Sequence, residues 1–391
     1  MTKRRKPDVS DHPLDQLFAG LRRFPDVEAP NLQAWDATDR LLLDTAAGFH
    51  DGGPVAVIGD NYGALTLGLL ALGTADGGTD PSTPAVRVHQ DLITGERALR
   101  RNADAAGLTG GFIQTTLSDA VDGASLVLLQ LPRSLAELEE IADAVARHAA
   151  PGAVLLAGGR VKHMSLGMNA VLARSFAEVQ PQLARQKSRV LVARGPRPAA
   201  GEPPYPVSEH HKGLDLTVCA RGAVFAGTGL DIGTRFLLHF LPQMPAARHA
   251  VDLGCGTGIL AALYARSHPE SRVTATDRSA AAVDSALATA RANGITSVTG
   301  LRDDALSTLP DASVDLVLLN PPFHLGSAVH AGAGLKLIEA AARVLAPGGE
   351  LWTVYNSHLQ YRPALERLVG PTCEAGRNPK FTVTASTRRP A

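Results

Sequence analysis

Short apolar segments alternate with longer helix-like segments along most of this chain. In the C-terminal half, residues 249–258 form an apolar run that breaks into a glycine-rich turn, and an apolar helical stretch follows over 259–267. In the N-terminal half, residues 54–63 and 64–72 repeat that arrangement. Strands that alternate with helices across short turns are typical of a parallel sheet covered on both faces. The pattern therefore predicts an α/β fold of the doubly wound, Rossmann-like kind.

The two halves of the chain carry similar landmarks in the same order, which indicates a tandem duplication. In each half a second strand ends near an acid, Asp91 in one and Asp277 in the other. A third strand then runs into a proline, and a later Ala-Pro-Gly sequence precedes another strand. The matched segments are 54–63 and 249–258, 86–91 and 273–277, 124–132 and 314–322, and 150–156 and 346–352. We therefore predict two tandem domains of the same architecture.

A proline-rich stretch separates the two halves. Residues 194–206 read Arg-Gly-Pro-Arg-Pro-Ala-Ala-Gly-Glu-Pro-Pro-Tyr-Pro. Prolines at this density lack amide donors and resist both helices and central strands. We therefore predict a first domain over residues 1–193, a stiff linker over 194–206 and a second domain over 207–391.

The composition, the length of the apolar runs and the cysteine spacing exclude several classes of protein. The chain has 391 residues, 45% of them hydrophobic, and zero formal net charge, so any affinity for nucleic acid must come from local patches. No apolar run approaches the roughly 20 residues that span a bilayer, and none follows the basic N-terminus as in a signal peptide. The three cysteines are scattered, without metal-ligand spacing or a disulfide framework. We expect a monomeric cytoplasmic protein that needs no metal and contacts no membrane.

A glycine-rich loop follows the first strand of the C-terminal half. At Gly254, Gly256 and Gly258 the backbone can turn sharply and approach a ligand, which a Cβ would hinder. Asp277 stands at the end of the next strand, where a carboxylate can accept both hydroxyls of a ribose. Together with Asp252 just before the glycines, these residues predict a nucleoside-binding site.

Two nucleoside cofactors, NAD and S-adenosylmethionine, are compatible with such a loop. The phosphate-binding fingerprint of NAD sites has a further glycine three residues on, where this chain has Ala261. Asp252 would also place negative charge near the NAD pyrophosphate. S-adenosylmethionine has no phosphate, and its zwitterionic methionine end tolerates an acid near its ammonium group. The sequence therefore favours S-adenosylmethionine, a methyl donor.

The strongest chemical motif is Asn320-Pro321-Pro322-Phe323, which follows an almost wholly apolar strand. It therefore lies at the carboxyl end of a buried strand, where open α/β sheets bind ligands. An exocyclic base amine is a poor nucleophile because its lone pair is delocalised into the ring. The Asn320 amide oxygen and a carbonyl of the rigid Pro-Pro turn can each accept one N–H and aim that lone pair at a methyl carbon. Phe323 offers a stacking face for an extruded base.

These motifs resemble those of class I methyltransferases that modify amino nitrogens. Further segments, 225–238, 320–324, 349–352 and 356–359, are similar to those of bacterial ribosomal RNA guanine-N2 methyltransferases with two tandem methyltransferase-like domains. Within that family the likeness is greater to the large-subunit (23S) enzymes than to the small-subunit (16S) enzymes. The resemblance is strong over the C-terminal half of the chain and mainly architectural over the N-terminal half. The resemblance implies a C-terminal copy that binds S-adenosylmethionine and transfers methyl, and a degenerate N-terminal copy that helps to hold ribosomal RNA.

The resemblance also implies roles for particular residues. The acid and glycines of the loop would line the methionine end of the cofactor, and Asp277 would hold its ribose. Asp304 would accept the adenine amino group, with Asp303 as the alternative. Residues 228–234 would close over the cofactor, although Asp231 fits the N-cap of the following helix equally well. The candidate cofactor residues are Thr228, Asp231, Asp252, Gly254, Cys255, Gly256, Gly258, Asp277, Asp304 and Asn320.

The N-terminal copy lacks the groups that would make it a second methyltransferase site. Asn61 and Gln130 stand at the positions of Gly256 and Asn320. Tyr62, the next residue of the loop, should crowd the path of a cofactor. The sequence therefore predicts that this copy carries out no methyl transfer.

A basic stretch of the N-terminal copy is the candidate RNA-binding surface. Between residues 158 and 200, eight Lys or Arg side chains are opposed by a single acid, Glu178. Such an excess suits phosphate contacts, although a solvated basic helix with a few ion pairs has the same composition. The candidate RNA-binding residues are Arg160, Lys162, Arg185, Lys187 and Arg189.

Two other functions remain open on these residues. One is methyl transfer to another amino nitrogen, adenine N6 or a protein glutamine amide, although such enzymes usually carry Tyr where this chain has Phe323. The other is a non-catalytic RNA-binding or ribosome assembly factor, against which the intact Asn320 and Asp277 argue.

Overall fold

The computed structural model describes residues 13–73, 86–198, 200–321 and 328–390. The chain divides into two compact units, unit 1 (Met1–Pro203) and unit 2 (Pro204–Ala391). Among the described residues, no helix combines the length and the apolar character needed to cross a membrane.

Unit 1 is a seven-stranded sheet with helices on both faces. Its strands are β1 (Val55–Ile58), β2 (Val86–His89), β3 (Phe112–Gln114), β4 (Leu126–Gln130), β5 (Val154–Arg160), β6 (Phe176–Pro181) and β7 (Ser188–Pro196). Its described helices are α1 (Pro13–Gly20), α2 (Ala37–Ala46), α3 (Ala64–Ala71), α4 (Ile93–Ala106), α5 (Leu117–Val121), α6 (Leu135–His148) and α7 (Leu166–Ser175).

Unit 2 begins with a hairpin and continues as a second seven-stranded sheet. Its strands are β8 (Val207–His211) and β9 (Leu216–Ala220) in the hairpin, then β10 (His249–Leu253), β11 (Arg272–Asp277), β12 (Val298–Arg302), β13 (Val314–Leu319), β14 (Leu345–Asn356), β15 (Thr372–Arg377) and β16 (Phe381–Thr387). Its described helices are α8 (Ile232–Leu238), α9 (Ile259–Ser267), α10 (Ala280–Ala292), α11 (Ala328–Val344) and α12 (Arg362–Leu368).

The two large sheets have the same topology. Unit 1 has the strand order β3-β2-β1-β4-β5-β7-β6, and unit 2 has β12-β11-β10-β13-β14-β16-β15. In each sheet the first five strands are parallel, and the last strand of the unit, β7 or β16, runs antiparallel to both neighbours. Two tandem domains of the predicted doubly wound type are therefore confirmed.

The alternation of side chains along β13 explains why this strand is almost wholly apolar. Leu316 and Leu318 are buried in the core on one face of the sheet, and Val317 and Leu319 are buried in the core on the other. A strand covered by helices on both faces cannot alternate apolar with polar positions. Its carboxyl end therefore places the next residue, Asn320, at the edge of a well-packed sheet.

The strand β7 extends further than the sequence suggested. It includes residues 194–196, which were predicted as the beginning of the linker. Arg194 is paired with Val154 of β5, and Pro196 is paired with Phe176 of β6. Because Pro196 is the last residue of the strand, its missing amide interrupts no further pairing.

Candidate active site

The glycine-rich loop connects β10 to α9 and adopts a left-handed backbone at three positions. The φ angles are +78° at Gly254, +52° at Gly256 and +73° at Gly258. A Cβ added at Gly254 or Gly256 would meet no atom of the described residues within 4 Å, whereas one at Gly258 would lie 2.6 Å from the Ala286 Cβ of α10. The first two glycines therefore leave an open cradle for a ligand, and the third permits close helix packing.

The acid predicted to hold the ribose, Asp277, is at the end of β11 beside this cradle. One carboxylate oxygen accepts a hydrogen bond from the Gly256 amide at 3.3 Å, and the other accepts one from the Ser279 amide at 3.0 Å. The side chain is half-buried. Asp277 thus reaches from the second strand of the sheet to the loop after the first.

Asp252 has a different environment from the one predicted. It is 1% exposed, and its carboxylate accepts a hydrogen bond from the Ala261 amide in the first turn of α9 at 3.0 Å. Burial raises its pKa from 3.8 to about 7. Burial also raises the pKa of the neighbouring Cys255 thiol, so this side chain forms an apolar wall of the loop. Asp252 therefore links β10 to the first turn of α9 by this hydrogen bond.

The structure distinguishes Asp303 from Asp304. Asp303 is buried and accepts hydrogen bonds from the Asp304 and Thr308 amides and from two hydroxyls of the same turn. Asp304 is half-buried, and its carboxylate lies 2.6 Å from the Lys336 ammonium of α11. Asp303 is thus committed to its own turn, whereas Asp304 is more exposed and its carboxylate accepts a hydrogen bond from another element, α11.

Asn320 at the end of β13 is held by the first turn of α8. Its amide nitrogen donates to a carboxylate oxygen of Asp231 at 2.9 Å and to the hydroxyl of Thr234 at 2.8 Å. Its amide oxygen is buried and has no hydrogen-bond partner among the described residues. A buried acceptor without a partner costs free energy unless a ligand completes it.

Asp231 and Thr228 are anchored within the protein. Asp231 is the N-cap of α8, because it also accepts hydrogen bonds from the Gly233 amide at 2.9 Å and the Thr234 amide at 3.0 Å. Thr228 donates its hydroxyl proton to Glu209 of β8 at 2.7 Å. The loop that was predicted to close over the cofactor is therefore fixed at both ends, to the hairpin and to Asn320.

The described residues contain only part of the Asn-Pro-Pro-Phe motif. Pro321 is buried immediately after Asn320. Pro322 and Phe323 lie outside the described residues, so the second acceptor carbonyl and the stacking ring stay predictions.

Two polar side chains at this edge of the sheet were missed from the sequence. Thr234 contacts Asn320 although they are 86 positions apart, which no local pattern reveals. Asn356, at the end of the adjacent strand β14, is 8% exposed, and its amide oxygen has no partner in the part of the chain that the structure describes. Its position after an apolar strand, the same signal that singled out Asn320, could have identified it.

Comparison with known proteins identifies the family. The methyltransferase small domain family matches residues 215–385, and the RLMG N-terminal domain family matches residues 11–197. Proteins named ribosomal RNA large subunit methyltransferase G are similar to almost the whole chain. The one from Streptomyces avermitilis is 34% identical over 94% of this chain and 97% of its own length. The one from Pseudomonas aeruginosa strain UCBPP-PA14 is 36% identical over 93% and 96%.

The chain belongs to the ribosomal RNA large subunit methyltransferase G family. Its fold is also similar to that of a solved structure, the T. thermophilus 16S rRNA N2 guanine methyltransferase RsmC in complex with AdoMet and guanosine. The TM-score is 0.69 with 24% sequence identity, over 93% of this chain and 97% of that one.

In this member of the family, unit 1 fills its own counterpart of the cofactor cradle. Tyr62, in the loop after β1, donates its hydroxyl proton to Asp26 at 2.6 Å, and the Arg23 guanidinium lies 4.6 Å from the centre of its ring. Asn102 donates to the carbonyls of Arg22 and Tyr62 at 2.9 and 2.7 Å. The chain segment before α2 therefore lies over this loop, whereas the described residues of unit 2 leave the loop at Gly254 and Gly256 uncovered.

The alignment of the two units corrects one predicted correspondence. Gly59 donates its amide proton to the carbonyl of His89, as Gly254 does to that of Thr276. The residue that corresponds to Asp277 is therefore Gln90, and Asp91 is one position too late. An apolar pattern fixes strand positions only approximately, whereas hydrogen-bonded register fixes each residue.

The basic residues of unit 1 are more compensated than the sequence suggested. Arg160 lies 3.9 Å from Asp36, and Arg185 lies 3.3 Å from Asp44. Arg174 is paired with Glu139. The expectation that Glu178 alone opposes these cations is therefore wrong, because the fold brings acids of α2 and α6 beside them.

Part of the basic stretch nevertheless forms a cluster at the carboxyl end of the sheet. Gln130 at the end of β4 is paired with Gly158 of β5, so Arg133 after β4 and Arg160, Lys162 and His163 at the end of β5 lie near one another. Their charges add to desolvation in lowering the pKa of His163. Lys187 is exposed on the adjoining turn, where its carbonyl accepts a hydrogen bond from the Val161 amide at 2.9 Å. Arg133, directly after the Gln130-Leu-Pro sequence, was not predicted. We call the side chains of Arg133, Arg160, Lys162, His163 and Lys187 the basic cluster.

Arg189 differs from the other candidate RNA-binding residues. It is half-buried in β7, and its guanidinium Nε is buried without a hydrogen-bond partner among the described residues. A buried Nε on a strand is poorly placed to reach a phosphate of a large ligand.

Proposed function

We propose that this protein transfers a methyl group from S-adenosylmethionine to the exocyclic N2 amine of a guanine in large-subunit ribosomal RNA. The observation that carries the proposal is the Asn320 amide, whose nitrogen is held by two acceptors and whose buried oxygen is left without a partner among the described residues. The relatives named large subunit methyltransferase G support the RNA target. The neighbour solved with AdoMet and guanosine is named for the same N2 position.

The cofactor would occupy the open cradle at Gly254 and Gly256, with Asp277 beside it for the ribose and Asp304 for the adenine. When bound, S-adenosylmethionine supplies a sulfonium methyl group whose C–S bond electrons return to sulfur as the nitrogen lone pair forms the new C–N bond. The extra proton on nitrogen then leaves to solvent.

The protein's own contribution to this reaction is to position and polarise the amine. The Asn320 oxygen accepts one N–H of the guanine amine and so turns the lone pair out of conjugation with the ring. Positive charge develops on nitrogen as the new bond forms, and the same hydrogen bond strengthens as it does so. Because Asn320 is held from behind, the acceptor need not reorganise during the reaction.

The basic cluster of unit 1 provides the RNA contact of this proposal. Lys162 and Lys187 are exposed and form no ion pair with an acid in the described part of the chain, so they are the side chains best suited to phosphate contacts. The protein acts as a monomer in the cytoplasm, where ribosomal RNA is found.

The direct test is transfer of labelled methyl to ribosomal RNA that lacks its own modifications, followed by nucleoside analysis. We expect label in N2-methylguanosine of large-subunit RNA. Label in N6-methyladenosine or in protein would refute the guanine assignment. If the protein bound RNA but transferred no methyl group, and gained no thermal stability from S-adenosylmethionine, a non-catalytic role would take its place.

Within the same assay, Asn320→Ala removes the proposed acceptor. We expect the rate constant of methyl transfer to fall on the order of 100-fold or more, while the affinity for S-adenosylmethionine measured by calorimetry stays near that of the wild type. Gln130→Ala is the matched control, because Gln130 occupies the corresponding strand end of unit 1. An Asn320→Ala protein with undiminished transfer would contradict the role of this amide.

A further inference from the structure

Asn320 is the residue that contacts the amine in the proposed function, but what fixes its own orientation is the first turn of α8. Its amide nitrogen uses both protons, one toward Asp231 at 2.9 Å and one toward Thr234 at 2.8 Å. Asp231 and Thr234 are 89 and 86 positions away in the chain, so only the fold brings them to this strand end.

The chemistry of the two partners decides which way the amide faces. A carboxylate only accepts hydrogen bonds, so the Asn320 nitrogen, and never its oxygen, must be on the side of Asp231. Asp231 is itself immobile, because the same oxygen accepts hydrogen bonds from the Gly233 and Thr234 amides. The Asn320 oxygen is therefore fixed on the opposite side, where no described residue is its partner.

Helix α8 can approach Asn320 closely because it has a glycine, Gly233, at the point of contact. A Cβ at this position would lie 3.0 Å from the Asn320 amide oxygen. Gly233 thus keeps one flank of that oxygen clear, which a residue with a side chain would not.

We propose that Asp231 and Thr234 are positioning residues for methyl transfer. They hold the Asn320 amide so that its oxygen points at the incoming amine, and hydrogen bonds from its N–H groups to Asp231 and Thr234 increase the electron density on that oxygen. The negative charge of Asp231 also favours the positive charge that develops on the amine nitrogen. This inference rests on the proposed function of Asn320.

The corresponding helix of unit 1 lacks this arrangement. Helix α2 packs on β5 and β7 as α8 packs on β14 and β16, and it also begins after an aspartate N-cap, Asp36. Three positions on, Asp39 takes the place of Thr234 and accepts a hydrogen bond from Gln130. Asp36 instead caps its own helix through the Thr38 amide at 2.6 Å. The two-point hold on the amide is therefore found only in the unit with an open cradle, within the described residues.

The test compares Thr234→Val with Thr234→Ser by steady-state methyl transfer to unmodified ribosomal RNA. Valine keeps the shape of the side chain and removes the acceptor, whereas serine restores the hydroxyl. For Thr234→Val we expect kcat to fall about tenfold or more, with KM for RNA and Kd for S-adenosylmethionine changed by less than about threefold. Thr234→Ser should retain at least about half of the wild-type kcat.

Asp231→Asn is a second variant that tests the charge. Asparagine is as good an N-cap as aspartate, so α8 should keep its cap and the melting temperature should change little. We expect kcat to fall while Kd for S-adenosylmethionine stays near the wild-type value. This variant also keeps the proposal testable if Thr234→Val does not fold.

Thr38→Val in α2 is the matched control, since Thr38 is a buried threonine whose hydroxyl contacts Ser188 at 3.0 Å in unit 1. It should change the melting temperature and leave kcat unchanged. A Thr234→Val protein with wild-type kcat would overturn the positioning role. So would a Thr234→Val protein in which kcat, KM and the melting temperature all change together and serine restores none of them. A wild-type protein that methylates adenine instead of guanine, with the Thr234 effects intact, would refute only the proposed target. Failure of the wild type to methylate any amine would remove both.

Discussion

At the scale of single residues, the acids predicted around the cofactor divide into half-buried ones and almost wholly buried ones. Asp277 at the end of β11 and Asp304 just after β12 are half-buried. Asp252 and Asp303 are almost wholly buried and accept hydrogen bonds from nearby backbone amides. Residue type alone could not separate the two groups, because an aspartate at a strand end suits either task.

The buried state of Asp252 leads to a prediction about pH. Burial raises its pKa from 3.8 to about 7. The folded protein therefore binds more protons than the unfolded chain between these values, so this group makes folding less favourable as pH rises from about 4 to about 7. Asp252→Asn removes that dependence. We expect the melting temperature of the variant, relative to the wild type without cofactor, to be higher at about pH 8 than at about pH 5.

The comparison uses calorimetry or circular dichroism at several pH values. A difference in melting temperature that stayed constant with pH would show that Asp252 is ionised throughout and would refute the prediction. The direction of the trend is more informative than its size, since asparagine also alters the hydrogen bond to the Ala261 amide.

At the scale of elements, the β10–α9 loop combines a ligand cradle with a packing contact in five residues. Gly256 and Gly258 both have a positive φ, yet within the described part of the chain only Gly258 faces another element, α10. The N-terminus of α8 has a similar double task, because Asp231 caps the helix and also holds Asn320. Each element therefore serves both the stability of unit 2 and the proposed site.

Substitution of the two glycines by alanine should separate these tasks. Gly258→Ala should lower the melting temperature by several degrees, because about 1–2 kcal/mol of backbone strain is added to a clash with Ala286. Gly256→Ala should cost only the strain and should weaken S-adenosylmethionine binding by about tenfold, since its Cβ enters the open cradle.

The matched control for Gly256 is Gly294, which has a φ of +67° and likewise no described atom within 4 Å of an added Cβ. Gly294 follows the C-terminal end of α10. Gly294→Ala should therefore show the same strain without a change in cofactor affinity. The interpretation of the cradle would be wrong if Gly256→Ala bound the cofactor as tightly as Gly294→Ala.

At the scale of the whole molecule, two copies of one fold have kept the same sheet and changed what lies at its carboxyl edge. Unit 2 has an open cradle with Asn320 at the next strand end. Unit 1 has covered its loop with the segment that carries Arg23, which lies over Tyr62, and it carries the basic cluster at the ends of β4 and β5. The same scaffold thus supports a proposed reaction site in one copy and a proposed phosphate contact in the other.

Charge removal in the basic cluster tests the second role. For Lys162→Gln and Lys187→Gln we expect RNA affinity to fall for all sequences, and the slope of log K against log salt to decrease by about one for each phosphate that the variant no longer binds. Fluorescence anisotropy with a ribosomal RNA fragment measures both quantities. Arg174→Gln is the control, because its charge is paired with Glu139. Equal effects of all three substitutions would argue against RNA binding at the basic cluster.

The sequence by itself determined the α/β class, the duplication and the strand ends that carry Asn320 and Asp277. These follow from local rules, since an apolar run, a glycine turn and an apolar helix leave few other folds. It also indicated that unit 1 has lost the loop glycine and the asparagine, because both are read directly from matched positions.

The tertiary structure decided which groups meet across the chain. Only the fold brings Thr234 and Asp231 to Asn320, places Arg23 over Tyr62 and sets acids beside part of the basic stretch. It also corrected the counterpart of Asp277 from Asp91 to Gln90, because strand register is fixed by hydrogen bonds that span distant segments. Local sequence patterns specify elements, whereas contacts between elements depend on packing of the whole sheet and its helices.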